Sequence, residues 1–309
     1  MQGQKSKLDK AVRLLTPRLA QPLYNMSDSD KTDINEIRLR NKKYLTAVVR
    51  GNECYITQDG RFTDDCSRAV TITDEDIDYT YKTALRNTIY SFKREISLGY
   101  IITEGGNRVG FCGTAVLDEF GKNDTLKNIS SISIRIAREI FGIADDLINK
   151  LNLINLKNVL ILGPPSSGKT TLLRDLCRQI GMKKRISLID EKNEISAMFK
   201  ACAQNNIGSF TDVFDSYTKY QGILSAVKIM SPQLIVCDEI GTKDDTEALD
   251  YAINSGVNII ATMHSSSIDD AFKKPYMKEL FSRKAFDYIA LLGTGDNLGK
   301  IINIRKIDI

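Results

Sequence analysis

The chain reads as an α/β protein in two parts: a C-terminal domain on a parallel sheet, preceded by a smaller α+β domain. Three observations predict this. From residue 158 onward, short wholly apolar runs alternate with helix-like stretches, the pattern of a sheet covered by helices on its faces. Before residue 140, several short runs change to a period of two and are bounded by polar turns. The 309 residues, 42% hydrophobic and 27% charged, suit two cores at roughly 150 residues each. The expected boundaries are 1–140 for the first domain, 141–157 for a linker containing a short helix, and 158–309 for the second domain.

Leu8, Val12, Leu15 and Leu19 recur at spacings of three and four, so an amphipathic helix is expected over about residues 5–24, kinked or ended by Pro17. Residues 34–40 and 45–49 read as short strands separated by a turn at Asn41, Lys42 and Lys43. A further turn is expected at Asn52 and Glu53 before a strand at 55–57. Thr73 followed by Asp74, Glu75 and Asp76 is a helix start. The apolar series Ile77, Tyr81, Ala84, Leu85, Ile89 and Phe92 carries that helix to about Leu98. Residues 100–103 and 108–112 flank Glu104, Gly105, Gly106 and Asn107 as a hairpin. Ile132, Ile134 and Ile136 then place Ser133 and Arg135 on the opposite face of a last strand.

The charge excludes some functions. Lys and Arg number 43 against 39 Asp and Glu, and each half of the chain carries +2. Neither half reads as a basic arm, so nucleic acid is an unlikely partner. No stretch nears the ~20 apolar residues of a membrane span. The opening residues are too charged for a secretory signal. The six cysteines form no C-x-x-C pair, which gives zinc no support; buried free thiols in a reducing cytosol are expected.

Chemistry enters at residue 163. The apolar run 159–162 leads into Gly163, Pro164, Pro165, Ser166, Ser167, Gly168, Lys169 and Thr170, followed by Thr171 and a helical stretch. This is G-x-x-x-x-G-K-[ST] in its required setting of strand, loop and helix. Backbone N–H groups of such a loop form an anion nest at a helix N-terminus. Gly168 lets backbone approach phosphate, Lys169 supplies a positive charge, and the Thr170 hydroxyl suits Mg²⁺. Residues 163–171 are therefore the expected ATP-binding segment.

Hydrolysis also needs an acid for the metal and a group acting on water. The apolar run 234–237 ends in Asp238 and Glu239. Asp238 is expected to hold Mg²⁺ and Glu239 to polarise the attacking water. Two further strand ends are polar: Asp190, Glu191 and Glu194 follow 186–189, and His264 follows 258–262. Ligands of open α/β sheets sit beyond the carboxyl ends of the strands, so all four ends can meet one nucleotide. His264, the single histidine, is expected to sense the γ-phosphate or partner Glu239. Glu191 is the expected catalytic member of the acidic cluster.

GPPSSGKTTLLRDL, LIDEKNEI, SPQLIVCDEIGTKDD and TMHSSS together resemble the stage III sporulation protein AA family, relatives of the type II and type IV secretion ATPases. NEIRLRNKKYL, SLGYIITEGGNRVGFCGTAV and ISSISIRIARE extend the likeness over most of residues 10–300. The resemblance implies a RecA-like P-loop ATPase domain. It also implies a homo-hexameric ring in the mother-cell cytoplasm, at the base of a membrane channel built with other sporulation proteins. In that family arginines reach across to the phosphates; Arg108, Arg135 and Arg138 are the matching positions. The chain departs from the family's pattern at Ser166, where a third loop glycine is usual, and at Phe210, where an arginine is usual. The alternatives are a P-loop ATPase associated with nucleic acid and a small-molecule kinase. An ABC-type ATPase is disfavoured because no LSGGQ-like segment precedes residue 234.

Overall fold

In a computed structural model of the chain, the structure describes residues 2–85, 99–117, 119, 121 and 123–307. They divide into two compact units: Met1–Arg138 with Phe199–Gln204, and Glu139–Met198 with Asn205–Ile309.

The first unit begins with helices α1 (Gln2–Val12), α2 (Pro17–Asn25) and α3 (Asp28–Asp33). The single helix expected over 5–24 is thus two. Pro17 opens α2, where its missing N–H breaks no helical bond. The apolar stripe survives the break, since Leu8, Val12, Leu15 and Leu19 are all buried. Strands β1 (Ile34–Arg40), β2 (Thr46–Val49), β3 (Asn52–Ile56) and β4 (Phe62–Thr63) precede helix α4 (Asp74–Ala84). After it come β5 (Tyr100–Ile102), β6 (Arg108–Leu117) and β7 (Asn123–Arg135). These seven strands form an antiparallel sheet in the order β4-β3-β2-β1-β7-β6-β5. Ile37, Ile132 and Ile134 face its buried side.

Two local expectations change. The turn placed at Asn52 and Glu53 lies two residues earlier, at Arg50 and Gly51. Both have positive φ, as a two-residue hairpin turn requires, so Val49 pairs with Asn52. Strand β6 runs past the expected 112 to Leu117, and the last strand, β7, begins at Asn123, well before Ile132. Helix α4 starts as expected in a capping box between Thr73 and Asp76, but its expected continuation through Ile89 and Phe92 lies outside the described residues.

The second unit starts with helix α5 (Asp145–Leu151). Residues 141–157 are therefore no free linker: Ala144, Leu147 and Leu151 are buried in the core that holds Val159 and Leu172. Strands β8 (Val159–Gly163), β9 (Ile186–Asp190), β12 (Thr211–Asp215), β13 (Leu234–Cys237), β14 (Asn258–His264), β15 (Tyr288–Leu292) and β16 (Ile301–Lys306) form one sheet in the order β12-β9-β13-β14-β8-β15-β16. The short pair β10 (Met198–Phe199) and β11 (Cys202–Ala203) makes a separate hairpin. All neighbours in the main sheet are parallel except β16 on β15.

Helices α6 (Lys169–Ile180), α7 (Lys219–Ile229), α8 (Lys243–Asn254), α9 (Ile268–Lys273) and α10 (Lys278–Ser282) complete the unit. The central strands are buried on both faces. Val159, Ile161 and Leu188 join α6 in one core, while Leu160, Leu162 and Ile189 join α7 and α8 in the other. This is why these strands are unbroken apolar runs with no alternation.

The cysteines are free, but only Cys177 and Cys237 are buried; Cys54 is half-buried, and Cys66, Cys112 and Cys202 are exposed. Cys112 follows buried Phe111 on β6 and so faces outward by strand alternation. Among the described residues no helix is long and apolar enough to cross a membrane.

Candidate active site

The parallel sheet sets the site. Strands β9, β13, β14 and β8 lie side by side, and their carboxyl ends carry Asp190 and Glu191, Asp238 and Glu239, His264, and the 163–168 loop. The register pairs His264 directly with Gly163.

Two glycines shape the loop. A β carbon at Gly163 would meet Ser167 Oγ at 2.3 Å. Gly168 has φ +94, and a β carbon there would lie 3.3 Å from Gly299 Cα. Ser166 adopts φ 60, the left-handed region that glycine accepts freely and serine does not. Helix α6 starts at Lys169, which leaves the first N–H groups of the helix without helical partners.

Lys169 is buried, and its Nζ donates to the carbonyl oxygens of Gly163 (2.9 Å) and Pro164 (2.8 Å). It also lies 3.0 Å from His264 Nδ1. Burial pulls the lysine below its ordinary pKa, opposed by the charges of Asp238 and Glu239. His264 Nε2 lies 3.1 Å from Glu239 Oε1. An ammonium on Nδ1 and a carboxylate on Nε2 together select the tautomer protonated at Nε2.

Thr170 Oγ1 donates to Asp238 Oδ2 at 2.6 Å. The other carboxylate oxygen of Asp238 accepts from the hydroxyl of Thr262. Burial pushes Asp238 up, against the two hydroxyl bonds and the charge of Lys169. Glu239 has φ 54, and its N–H donates to Thr262 Oγ1 at 2.8 Å. Its carboxylate pairs with Lys192 as well as His264. Burial raises Glu239, but these two partners outweigh it and hold the carboxyl below the usual range.

The acidic cluster after β9 divides by role. Asp190 is 3% exposed and accepts from the N–H groups of Glu194 (3.0 Å), Ile195 (3.1 Å) and Ser196 (2.8 Å) and from the Ser196 hydroxyl (2.6 Å). It braces its own loop. Glu191 pairs with Lys219 and lines, with Lys192, Glu194, Asp238 and Glu239, a small pocket over the strand ends.

Lys169, Thr170, Asp238, Glu239 and His264 thus form one hydrogen-bonded cluster, with Glu191 at the adjoining pocket. Lys192 and Thr262 belong to it, and the sequence assigned neither a role, although Thr262 opens the quoted TMHSSS segment. Arg108, Arg135 and Arg138 lie in the first unit. The guanidinium of Arg108 stacks 4.4 Å over the Tyr100 ring, and Arg135 is 4.0 Å from Glu36. Arg138 donates to the carbonyls of Thr32 (3.1 Å) and Asp33 (3.3 Å).

The family model for "Sporulation stage III, protein AA" matches residues 5–307. Stage III sporulation protein AA of Bacillus subtilis is 32% identical over 307 residues, covering 97% of this chain and 96% of that one. The chain belongs to the stage III sporulation protein AA family. Among solved structures, the ATPase DotB of Legionella pneumophila aligns with TM-score 0.54 and 14% identity over 89% of this chain and 77% of that one. The pilus retraction motor PilT, solved with bound ADP, aligns with TM-score 0.59 and 15% identity over 84% of this chain and 74% of that one. At such identities the likeness shows the fold. This sporulation-family chain has the fold of these secretion and pilus ATPases.

Proposed function

We propose that this family member is a Mg²⁺-dependent ATPase that works as a ring, most simply a hexamer. In this reading it acts from the mother-cell cytoplasm to power or assemble a membrane-spanning sporulation channel with partner proteins. The observation carrying the enzymatic part is the linked set Thr170–Asp238 and Lys169–His264–Glu239 at adjoining strand ends. The bound ADP of PilT, on the same fold, supports the nucleotide class.

The residues present fit the ligands. The 163–168 loop turns backbone toward an anion, and Lys169 adds a charge beside it. Thr170 and Asp238 are a hydroxyl and a carboxylate, the hard oxygen donors that Mg²⁺ takes when phosphates and water supply the rest. When bound there, Mg²⁺ would neutralise charge on the transferred phosphoryl group. Lys169 would leave its two carbonyl contacts for phosphate oxygens. Glu239 would accept a proton from the attacking water, and His264 would hold Glu239 in place and register the phosphate through Nδ1. Arg108, Arg135 and Arg138 remain candidates for phosphate contacts from a neighbouring subunit.

ATP turnover by purified variants tests the reading. Lys169→Ala should lose nucleotide binding, and Glu239→Gln should bind ATP yet fall by at least about 100-fold in turnover, the lower end of what a general base contributes. Normal turnover in either variant overturns the assigned role.

A further inference from the structure

We propose that Thr262 is the positioning residue of this site, holding the metal carboxylate and the base in register through one hydroxyl. The inference rests on the reading of Asp238 as a Mg²⁺ ligand and Glu239 as the base. Strand β14 is otherwise apolar at its centre: Ile260, Ala261 and Met263 are almost wholly buried, and Thr262 is 0% exposed. Valine has the same shape and would fill this place without a polar atom to satisfy. A buried hydroxyl alone means little. Ser187 on β9 is also fully buried, and its hydroxyl has no partner among the described residues.

Thr262 differs in what it bonds. Its Oγ1 donates to Asp238 Oδ1 and accepts the N–H of Glu239, while its carbonyl accepts the N–H of Ile240 at 2.9 Å. Both capacities of one hydroxyl are therefore spent on two successive acids. The parallel register explains the reach: Cys237 pairs with Ala261, so the next residue of each strand lies side by side. The bond to Glu239 N–H also holds that residue at its positive φ of 54, a conformation that needs support when the residue is not glycine. Asp238 keeps its other oxygen on Thr170. Thr262 thus orients a carboxylate from behind, the arrangement in which loss of the supporting partner typically costs 10- to 100-fold in metal affinity or activity.

The test uses the full chain with Thr262→Val and Thr262→Ser. It measures ATP turnover, the half-saturating Mg²⁺ concentration, and equilibrium ATP binding with Mg²⁺ and with a chelator. Thr262→Val should lose about 10- to 100-fold in turnover and need a correspondingly higher Mg²⁺ concentration. Its chelator-condition ATP affinity should stay within about twofold, since the 163–168 loop is untouched, and Thr262→Ser should recover most of the loss. Should Thr262→Val not fold, Thr262→Cys, a comparable side chain with a weak hydrogen bond, carries the same expectations. Unchanged Mg²⁺ dependence in the valine or cysteine variant overturns the inference. So does an equal loss of ATP affinity in chelator, which would mark a general fold effect. If the parent binds ATP with Mg²⁺ but never turns it over, the ATPase reading fails on its own, and the Mg²⁺-binding arm still decides the role of Thr262.

Discussion

At the scale of single residues, the site combines predictable chemistry with conformational strain. Ser166 and Glu239 both adopt positive φ without being glycine. For Ser166 that conformation costs about 1–2 kcal/mol, partly offset because glycine would lose more entropy on folding. Ser166→Gly should therefore raise stability by roughly 0.5–1 kcal/mol, read as a shift in denaturant midpoint at constant slope. Lys169, Thr170, Asp238, Glu239 and His264 were legible because each follows an apolar run or sits in a motif with fixed spacing. Lys192 and Thr262 were not. Lys192 reads as one more charge in an acidic loop, and only its pairing with Glu239 gives it meaning. Thr262 needs the β13–β14 register, which no single strand carries in its own sequence. Asp190 shows the converse: an acid at a strand end that looks chemical is occupied in bracing backbone.

At the scale of elements, packing overrides propensity in α7. Gly222 lies in that helix, and alanine would gain about 1 kcal/mol of helix propensity. A β carbon there would meet Ile189 Cγ2 at 2.7 Å, on a branched side chain buried in β9. Overpacking costs about 1–3 kcal/mol, so Gly222→Ala should lower thermal stability despite the better propensity. Asp76 ties α4 to the first helices. It is the capping acid of α4 and accepts from Thr16 (2.5 Å), from Arg18, and from the N–H of Thr73 (2.9 Å). Burial alone would raise its pKa, but these bonds outweigh burial and hold it below the ordinary value. Its contribution is full above the unfolded pKa of about 3.9 and is lost as pH falls through the lower folded value. Asp76→Asn should cost roughly 1.5–3 kcal/mol at pH 7 and flatten the acid side of the melting profile. Strand existence was readable in the first half, whereas turn position was not. Lys200 and Ala201 both have positive φ between β10 and β11, with none of the Asn-Gly or Asp-Gly chemistry that announces such turns.

At the scale of the whole molecule, the reading of a ring motor is tested by size. Sizing with ATP and Mg²⁺, against a chelator control, should show a nucleotide-dependent multimer; a monomer under both conditions would favour a kinase-like reading. Arg135→Ala mixed with Lys169→Ala subunits tests supply across a subunit boundary, and recovery of turnover in the mixture is expected. The two units are not each one continuous stretch of chain. Helix α5 joins the second core through Leu147 and Leu151, and the first unit takes back Phe199–Gln204, where Gln204 Oε1 accepts the N–H of Gly105 at 2.8 Å. That return has a practical reading for anyone dissecting the gene. A stop codon or protease site after Arg138 would strand six residues of the first unit on the wrong fragment. The halves are not interchangeable cassettes: swapping the first unit for a relative's means swapping the hairpin too, and a truncated second unit would carry that hairpin as an orphaned loop.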